Sequence, residues 1–502
     1  MGELPAAERP EVPAELAGAR VLVAGLGISG RAAAAVLADR GAEVTTVDEH
    51  AADADVRGVG SPDPADVDLG GTDLGKLDLG EVDLVVASPG WAPHHPLLAA
   101  AAASGVPIWS EVELAWRTRA SRPDGAPAPW LAVTGTNGKT TTVGMLESIL
   151  GAAGLRALAV GNVGTPVVEA VQDPATDVFA VELSSFQLHF THSMAARAAA
   201  VLNVAPDHLD WHGSLEGYAR DKGRIFERAE VACVYSVADP RTRELVEEAE
   251  VAEGARAVGI TLGTPGPGEL GIIDGLLVDR SFHAAMDQPG RHDSAAELGS
   301  LTDLAHLAGP DGRLAPHVAS NALTAAALAR AHGASPADVR AGLRAYAPGA
   351  HRIEAVASID GVAYVDDSKA TNAHAAAASL AAFAPGSVVW VAGGLAKGAD
   401  FDELVASRRD RLRAVVVIGQ DASELTGALR RHAADVPTSR IDPGETGQVM
   451  PRALDAARRF AQPGDTVLLA PAGASMDQFR SYAHRGEEFA RAVRALRGDE
   501  RS

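Results

Sequence analysis

A short segment rich in glycine and threonine carries the clearest chemistry of this chain. Residues 134–142 read Thr-Gly-Thr-Asn-Gly-Lys-Thr-Thr-Thr, after the apolar run Trp130–Val133 and before a helical pattern at 143–150. A strand, a glycine loop, a Lys-Thr pair and a helix, in this order, are typical of a site for nucleoside triphosphates. The segment therefore predicts ATP binding.

The residue types of this loop explain how it would hold phosphate. Gly135 and Gly138 let backbone N–H groups approach phosphate oxygens, and the following helix adds its positive N-terminal end. Lys139 can reach the β- and γ-phosphates, and the Thr140 hydroxyl can bind Mg²⁺. Position 133 is Val where the strict GxxxxGK[ST] pattern has Gly, so a plain turn between strand and helix is the alternative.

A second glycine-rich turn lies near the N-terminus. Gly25-Leu26-Gly27-Ile28-Ser29-Gly30 follows the apolar run Arg20–Ala24, and Asp48 comes 18 residues after Gly30 at the end of the next run. In this pattern the start of the helix binds a diphosphate, and the acid binds a ribose or a similar hydroxyl. NAD and a nucleotide-diphosphate sugar both satisfy that geometry, and a tight turn without a ligand is the alternative.

An acidic residue follows a strand of the middle region. Glu182 lies at the end of the run Asp177–Leu183, and a carboxylate there, near a phosphate loop, can hold Mg²⁺ directly or through water. A helix cap or an ion pair is the alternative for a single Glu.

A polar cluster follows the next strand. Asp207, His208 and Asp210 come after the run Ala198–Val204, and Lys222 lies 14 residues beyond His208. Mg²⁺ prefers oxygen ligands, so a capping or substrate-binding His remains an alternative to a metal ligand. By itself Lys222 is interpreted as a surface lysine.

Two lysines follow strands in the last third of the chain. Lys369 lies in Asp-Asp-Ser-Lys-Ala-Thr-Asn (366–372), and Lys397 lies in Gly-Gly-Leu-Ala-Lys-Gly-Ala-Asp (393–400). Beside Gly and Thr, such lysines suit carboxylate or phosphate groups through charge-assisted hydrogen bonds. With Ser475 they favour a site for a carboxylate-rich amino acid, and solvated loop charges are the alternative.

Short apolar runs alternate with Ala- and Leu-rich helical stretches, which predicts an α/β protein with parallel sheets. The other predicted strands are Glu43–Val47, Leu84–Ala87, Val362–Val365, Val388–Ala392, Ala414–Ile418 and Thr466–Leu469. Two predicted helices are Ser320–Ala331 and Pro336–Tyr346. Ligands bind beyond the carboxyl ends of such strands, where nearly every polar cluster falls. Residues 54–83 are weakly patterned, and frequent Gly and Pro predict a loop-rich edge at 262–314.

The length of 502 residues predicts about three domains. A linker at Ala120–Pro129 and a Pro-Gly pair at 348–349 indicate the boundaries. We therefore expect a Rossmann-like domain at 1–120, a central P-loop-type ATPase domain at 121–348 and a second Rossmann-like domain at 349–502.

Composition limits the classes of function. The net charge is −22 and no tract of Lys or Arg compensates it, which argues against a nucleic-acid partner. The single cysteine, Cys233, excludes an intramolecular disulfide. The N-terminus lacks the pattern of a signal peptide and no run of about 18 apolar residues occurs, so we expect a soluble, cytoplasmic protein without a membrane segment.

Taken together, these motifs are similar to those of the Mur ligase family, from Gly25 to about Phe489. The phosphate loop and the Asp-His cluster resemble the superfamily, while the segments at 366–372 and 474–479 resemble the members that add D-glutamate. The resemblance implies a monomeric ligase that uses ATP and Mg²⁺ to join D-glutamate to UDP-N-acetylmuramoyl-L-alanine. It further implies an acyl-phosphate intermediate and a place in peptidoglycan precursor synthesis.

The resemblance also implies roles for individual residues. Those expected at ATP are Gly135, Thr136, Asn137, Gly138, Lys139, Thr140, Thr141, Asn321, Arg352 and Asp367. Those expected at the UDP-linked substrate are Gly25, Gly27, Ser29, Gly30, Asp48, Ser88, Gly90, Asn162, Ser184 and Gln187. Those expected at D-glutamate are Lys369, Thr371, Lys397, Ser475 and Tyr482. No role is implied for 54–83 or 262–314.

The metal ligands implied by the resemblance are Thr140, Glu182, His208 and Lys222. Lys222 matches the lysine that is carbamylated in this family, and a carbamate would turn an ammonium into an oxygen ligand. Two Mg²⁺ sites are therefore expected. The expected catalytic residues are Lys139, His208, Lys222 and Asp207, with His208 or Asp207 as a base for the attacking amine.

Three other functions are compatible with parts of the sequence. A folate polyglutamate ligase shares the phosphate loop but does not need the fingerprint that ends at Asp48. An NAD oxidoreductase leaves Lys139 and Thr140 without a role. A non-enzymatic nucleotide switch would bind ATP without turnover that depends on an amino acid.

Overall fold

The computed structural model describes residues 16–48, 78–162, 165–308, 312–348, 353–396, 400–444 and 446–499. Its strands form three sheets that follow one another along the chain. Helices accompany every sheet, so the predicted three-part α/β architecture is confirmed. The domain boundaries at 120/121 and 348/349 stay a prediction.

The first sheet is parallel and begins with the predicted glycine-rich turn. Its strands and helices are β1 (Arg20–Ala24), α1 (Ile28–Asp39), β2 (Glu43–Val47), β3 (Leu84–Ala87), α2 (Pro96–Ala103), β4 (Ile108–Ser110) and α3 (Glu111–Thr118). The strand order is β2-β1-β3-β4. Strand β1 lies inside the sheet, and its near-continuous apolar sequence is what a strand covered on both faces requires.

The second sheet is the largest and contains the phosphate loop. Its strands are β5 (Trp130–Thr134), β6 (Ala157–Gly161), β7 (Val178–Glu182), β8 (Ala198–Val201), β9 (Ala232–Ser236), β10 (Arg256–Ile260), β11 (Glu269–Ile273), β12 (Leu276–Asp279) and β13 (Ala296–Ser300). Its helices are α4 (Lys139–Ala152), α5 (Val167–Ala170), α6 (Ser185–His189), α7 (Leu209–His212), α8 (Leu215–Gly223), α9 (Pro240–Glu247), α10 (Pro316–His332) and α11 (Pro336–Ala345). The strand order is β13-β12-β11-β10-β9-β8-β5-β7-β6.

The prediction of a loop-rich edge at 262–314 is wrong, because three strands of this sheet lie there. Strands β11 and β12 form an antiparallel hairpin whose turn is Asp274-Gly275, and β13 pairs with β12. Both turn residues have positive φ, 50° and 80°. An Asp-Gly pair between apolar runs is a strong hairpin signal, and it could have been recognised in the sequence.

The third sheet is parallel except for its first strand. Its strands are β14 (Glu354–Ile359), β15 (Val362–Asp366), β16 (Val388–Gly393), β17 (Leu412–Ile418), β18 (Thr438–Arg440) and β19 (Thr466–Ala472). Its helices are α12 (Ala373–Ala381), α13 (Asp402–Arg408), α14 (Ser423–His432), α15 (Thr446–Arg458) and α16 (Tyr482–Asp499). The strand order is β14-β15-β19-β16-β17-β18, and β14 runs antiparallel to β15.

The apolar cores show how the sheets are joined. One continuous core contains side chains of the first sheet, such as Val21 and Val86, and side chains of the second sheet, such as Trp130 and Val181. The third sheet has its own cores on its two faces, and one of them includes Ala315 at the start of α10. Within the described part of the chain, no helix is long and apolar enough to cross a membrane.

Candidate functional site

The phosphate loop connects β5 to α4 as the sequence predicts. Gly135 and Gly138 have positive φ, 150° and 86°. A Cβ atom at Gly138 would lie 2.6 Å from the Asn321 Oδ1 atom, so any side chain there would force Asn321 to move. Lys139 bends back over the loop, and its Nζ donates to the Gly135 and Thr136 carbonyls at 2.7 and 3.0 Å. The loop is thus already closed around the ammonium group that would meet the phosphates.

A cleft of about 420 Å³ opens at this loop, between the second and third sheets. It brings together 14 predicted site residues, namely Thr136, Asn137, Gly138, Lys139, Thr140, Thr141, Asn162, Glu182, Asp207, His208, Asn321, Asp367, Lys369 and Thr371. The residues follow the carboxyl ends of different strands, where ligands of parallel sheets bind. Arg352 and Lys397 lie outside the described residues.

Glu182 is buried at the end of β7 and faces the cleft. Its side chain accepts a hydrogen bond from Asn162 Nδ2 at 3.2 Å through Oε1. The other oxygen, Oε2, is buried and makes no hydrogen bond with the part of the chain that the structure describes. A buried carboxylate oxygen without a donor is costly unless a ligand satisfies it. This atom therefore fits a metal ion or a metal-bound water.

His208 lines the cleft and has an uncommon backbone conformation. Its φ is 53°, and it is the residue that caps α7. The Phe186 ring packs edge-on against its imidazole with 4.7 Å between ring centres. The neighbouring Asp207 accepts a hydrogen bond from Asn372 Nδ2 at 3.2 Å, which joins this cluster to the third sheet.

Lys222 is buried, so its interpretation as a surface lysine is wrong. Only 1% of the residue is exposed, and Nζ donates to the Gly135 carbonyl at 3.1 Å. Burial, together with the positive charge of Lys139, holds the pKa of Lys222 well below its usual range. A lowered pKa enlarges the neutral fraction of the amine, which is the form that reacts with an electrophile. Helix α8 gave no sequence signal of this burial.

The donor set fits Mg²⁺ only when the ligand supplies further oxygens. Among the described residues, no three His, Cys, Asp or Glu side chains lie close enough to hold a metal ion by themselves. Thr140, Glu182 and His208 surround the phosphate loop, and a Mg²⁺ ion bound to a nucleotide usually takes few protein ligands and keeps water and phosphate oxygens.

The first sheet has a separate pocket of about 590 Å³ at its glycine-rich turn. Of the residues predicted for the UDP-linked substrate, this pocket is lined by Gly25, Gly27, Ser29, Asp48, Ser88 and Gly90. Asp48 Oδ2 accepts from the Leu26 N–H at 2.5 Å, and Ser88 Oγ donates to the Gly25 carbonyl at 2.9 Å. These bonds fix the shape of the turn before any ligand binds.

Two features of this pocket differ from the sequence interpretation. Gly30 is buried, and a Cβ there would lie 1.8 Å from the Gly25 carbonyl oxygen, so this glycine permits close packing and does not line the pocket. Trp91 and His95 line the pocket with ring centres 4.3 Å apart, and the sequence interpretation missed both. An aromatic residue just after Ser-Pro-Gly was the available signal.

Ser184 and Gln187 form the capping box of α6. Ser184 Oγ accepts from the Gln187 N–H, and Gln187 Oε1 accepts from the Ser184 N–H at 2.9 Å. Gln187 is buried and lines neither pocket. The structure shows these two side chains bonded to each other at the start of α6. Their expected contact with substrate stays a prediction.

The predicted D-glutamate residues that the structure describes form two groups, those that line the cleft and those that do not. Lys369 and Thr371 line the cleft. Tyr482 lies under Lys369, whose Nζ is 4.1 Å from the ring centre, and Ser475 is buried. Ser475 and Tyr482 do not line the cleft.

Arg485 is a buried residue that the sequence interpretation missed. It donates to the Ser368 carbonyl at 2.9 Å and to the Gly473 carbonyl at 3.0 Å. Burial lowers the pKa of Arg485 to about 10. The guanidinium ties together the two loops that carry Lys369 and Ser475.

Comparison with known proteins identifies the family of this chain. Three family models match the chain, those of a Mur ligase MurD-like N-terminal domain over 19–110, a Mur ligase middle domain over 133–265 and a Mur ligase glutamate ligase domain over 351–473. The UDP-N-acetylmuramoylalanine--D-glutamate ligase of Streptomyces coelicolor (strain ATCC BAA-471 / A3(2) / M145) is 55% identical over 494 residues, which cover 97% of this chain and 100% of the relative. The chain belongs to the Mur ligase family.

A second relative supports the assignment of this chain to the Mur ligase family. The enzyme of the same name from Thermobifida fusca (strain YX) is 51% identical over 496 residues, covering 96% of this chain and 100% of the relative.

Solved structures show the same fold at low identity. The UDP-N-acetylmuramate-alanine ligase of Thermotoga maritima has a TM-score of 0.52 and 17% identity, covering 95% of this Mur ligase and 99% of that chain. A pseudomurein peptide ligase type C from Methanothermus fervidus has a TM-score of 0.53 and 16% identity, covering 95% and 100%. These likenesses concern the fold alone.

Proposed function

We infer that this Mur ligase uses ATP to join D-glutamate to UDP-N-acetylmuramoyl-L-alanine, a step of peptidoglycan precursor synthesis. The relatives that match nearly the whole chain carry the name of this activity. The observation that carries the proposal in the structure is the cleft in which Lys139 and Thr140 face Lys369 and Thr371 from the third sheet. One wall suits a nucleoside triphosphate and the other suits a carboxylate-rich amino acid.

The first step transfers a phosphoryl group to the substrate carboxylate. We propose that a carboxylate oxygen attacks the γ-phosphorus of ATP in line, that the bond between the β,γ-bridging oxygen and this phosphorus breaks, and that ADP leaves. Lys139 and the N–H groups of the phosphate loop would offset negative charge on the transferring group. Mg²⁺, held by Thr140, Glu182 and His208 together with phosphate oxygens, would add positive charge there.

The second step forms the amide. The neutral amine of D-glutamate attacks the acyl carbon, the bond from this carbon to the phosphate oxygen breaks, and inorganic phosphate leaves. The amine loses a proton in this step, and Asp207 is the proposed base, because it lines the cleft and His208 is assigned to Mg²⁺. Closure of the third sheet over the cleft would exclude water that would hydrolyse the acyl phosphate.

Lys222 is proposed to act as a carbamate. Its neutral amine would attack CO₂ and form an N–C bond, and the proton would leave to solvent. The product carries a negative charge and two oxygens, which suits Mg²⁺ where an ammonium group would repel it. The buried position beside Gly135 and the lowered pKa support this modification.

We place the reaction in the cytoplasm, where ATP is available, and expect a monomer. The pocket of the first sheet is proposed to bind the UDP portion, with the start of α1 at the diphosphate. Arg352 and Lys397 are proposed at ATP and D-glutamate by resemblance.

The deciding experiment measures phosphate release from Mg²⁺-ATP with UDP-N-acetylmuramoyl-L-alanine and either D-glutamate, L-glutamate or no amino acid. Release that depends on D-glutamate, with the product mass of the amide, supports the proposal. Release with L-glutamate alone would overturn the assignment of the amino acid. Release with a folate substrate, a nicotinamide-dependent absorbance change, or ATP binding without turnover would each favour another function.

A further inference from the structure

Asp221 is the centre of a hydrogen-bonded network beside the proposed metal ligands. It precedes Lys222 in α8 and is 8% exposed. Its carboxylate lies 2.9 Å from His189 Nδ1 and 2.7 Å from His212 Nδ1. Burial alone would raise the pKa of Asp221, but the hydrogen bonds from the two imidazoles hold it below its usual range. An ionised carboxylate can only accept, so both Nδ1 atoms donate.

The network joins three elements that are separate in sequence. His189 ends α6, His212 ends α7, and Asp221 lies in α8. The His212 side chain is fully buried, and its Nε2 lies 3.0 Å from Ser185 Oγ at the start of α6. A single carboxylate thus fixes α6 and α7 against α8.

Each of the three elements carries or adjoins a proposed metal ligand. Helix α6 begins three residues after Glu182, His208 caps α7, and α8 contains Lys222. The positive φ of His208 is a strained conformation that persists only where the surroundings hold it. The bond from Asp221 to His212, at the other end of this one-turn helix, is a restraint of that kind.

The chain Ser185, His212, Asp221 has the order of a nucleophile, a base and an acid, but it does not suit that role. Ser185 is 3% exposed and the His212 side chain is fully buried. Neither residue lines the cleft. Because no substrate can reach the buried Ser185 hydroxyl, this chain of residues suits the positioning of side chains and not covalent catalysis.

We propose that Asp221 is a positioning residue, whose bonds to His189 and His212 hold His208 and Lys222 in the arrangement that binds Mg²⁺. The proposal rests on the function given above, because it assumes that these two residues meet the metal. Asp221 itself does not line the cleft. Its place next to Lys222 is the one sequence feature that points to Asp221.

The test compares Asp221→Asn with Glu216→Gln, an exposed acid on the same helix. Asn has the size of Asp, but it is neutral and has one acceptor oxygen in place of two, so its bonds to the two imidazoles are weaker. The readouts are Mn²⁺ affinity in the presence of a non-hydrolysable ATP analogue, by electron paramagnetic resonance, and the ¹³C NMR signal of a lysine carbamate formed from ¹³C-bicarbonate. We expect Asp221→Asn to weaken Mn²⁺ binding about 10- to 100-fold and to reduce the carbamate signal.

Steady-state kinetics separate positioning from general damage. Asp221→Asn should lower kcat and raise the Mg²⁺ concentration for half-maximal rate, while the KM for D-glutamate stays within about twofold. Glu216→Gln should change none of these quantities. A double variant with His212→Phe should cost little more than Asp221→Asn alone, because both changes break the same network.

Two results would overturn the proposal. One is a folded Asp221→Asn protein with wild-type Mn²⁺ affinity and carbamate signal. If Asp221→Asn does not fold, His189→Gln takes its place, because it changes only one partner of Asp221, at a partly exposed ring. Unchanged Mn²⁺ affinity of the His189→Gln protein would be the second result. Failure of the proposed function is distinguishable, because the wild type would then show no turnover dependent on D-glutamate, whatever the variants do.

Discussion

Asn372 Nδ2 donates to Asp207 Oδ2 at 3.2 Å and so joins the third sheet to the cluster beside the phosphate loop. The same nitrogen lies 3.3 Å from Asn137 Oδ1, within that loop. Asn372 Oδ1 accepts from the Ala375 N–H and caps α12. One side chain therefore begins a helix and bridges the cleft.

The two roles of Asn372 can be separated by substitution. Asn372→Ser keeps an N-cap hydroxyl but is too short to bridge, whereas Asn372→Ala loses both. We expect both variants to lower kcat/KM for D-glutamate about tenfold, since closure of the cleft would be less favourable. Only Asn372→Ala should also lose about 1 kcal/mol of unfolding free energy in urea. Equal kinetics for Asn372→Ser and the wild type would contradict the bridging role.

Lys139 should be indispensable for turnover. Lys139→Ala removes the ammonium group that would meet the transferring phosphoryl group, so kcat should fall by at least about 100-fold. The measurement is phosphate release at saturating substrates, with the melting temperature as a check of folding. A folded variant with near-normal kcat would remove Lys139 from the mechanism.

Lys222→Ala should be rescued by small acids. The variant loses the proposed carbamate and leaves space beside Gly135, so acetate or formate at millimolar concentration should restore much of the lost rate. Lys139→Ala is the matched control and should gain nothing from either acid. An active Lys222→Ala protein, or an inactive one that no short carboxylate rescues, would count against carbamylation.

Two neighbouring glutamates of α3 should respond to pH in opposite ways. Burial raises the pKa of Glu111 from 4.5 to about 7. Between these values the folded state holds a proton that the unfolded state has lost, so this group makes stability fall as pH rises from about 4.5 to 7. Glu111→Gln should therefore gain stability relative to the wild type at pH 8, by up to about 3 kcal/mol.

Glu113, the second of these glutamates, should show the opposite dependence of stability on pH. Burial alone would raise the pKa of Glu113, but bonds from Ser193, His192 and Arg117 hold it below its usual range. Its contribution is therefore present at neutral pH and is lost as pH falls through the folded pKa. Glu113→Gln should destabilise the protein at pH 7 and progressively less in acid. Urea unfolding of both variants between pH 4 and 8 tests the two signs, and parallel curves would contradict them.

Two glycine substitutions should change stability in opposite directions. Gly275→Ala places a side chain at φ 80° in the turn of the β11–β12 hairpin and should cost about 1 kcal/mol. Gly151→Ala lies at an exposed position of α4, where no atom outside the adjoining helix backbone is within 4 Å of the added Cβ, and should gain about 0.5–1 kcal/mol. Urea midpoints measure both, and a stabilised Gly275→Ala protein would contradict the assigned turn.

The sequence predicted three of the four strands of the first sheet, because they are short runs with clear ends, and it missed β4. Strands β1, β2 and β3 match their predicted bounds. It failed at β11 to β13, where Gly and Pro obscured an antiparallel extension and the Asp-Gly turn was overlooked. Antiparallel edge strands are less continuously apolar, so their pattern was weaker.

The site was predictable where chemistry depends on local motifs and not where it depends on packing. The phosphate loop, Glu182 and Asp207 were identified from residues that follow strands. The burial of Lys222 and the bonds of Asp221 to His189 and His212 arise from contacts between α6, α7 and α8. No spacing rule in one sequence reveals such contacts.

The apolar core shared by the first and second sheets has a consequence for heat denaturation. Because Trp130 and Val181 pack in the same core as Val21 and Val86, neither sheet can lose its packing without exposing the other. We expect these two sheets to melt as one cooperative unit and the third sheet, with its own cores, as another. Three sheets would then give two calorimetric transitions.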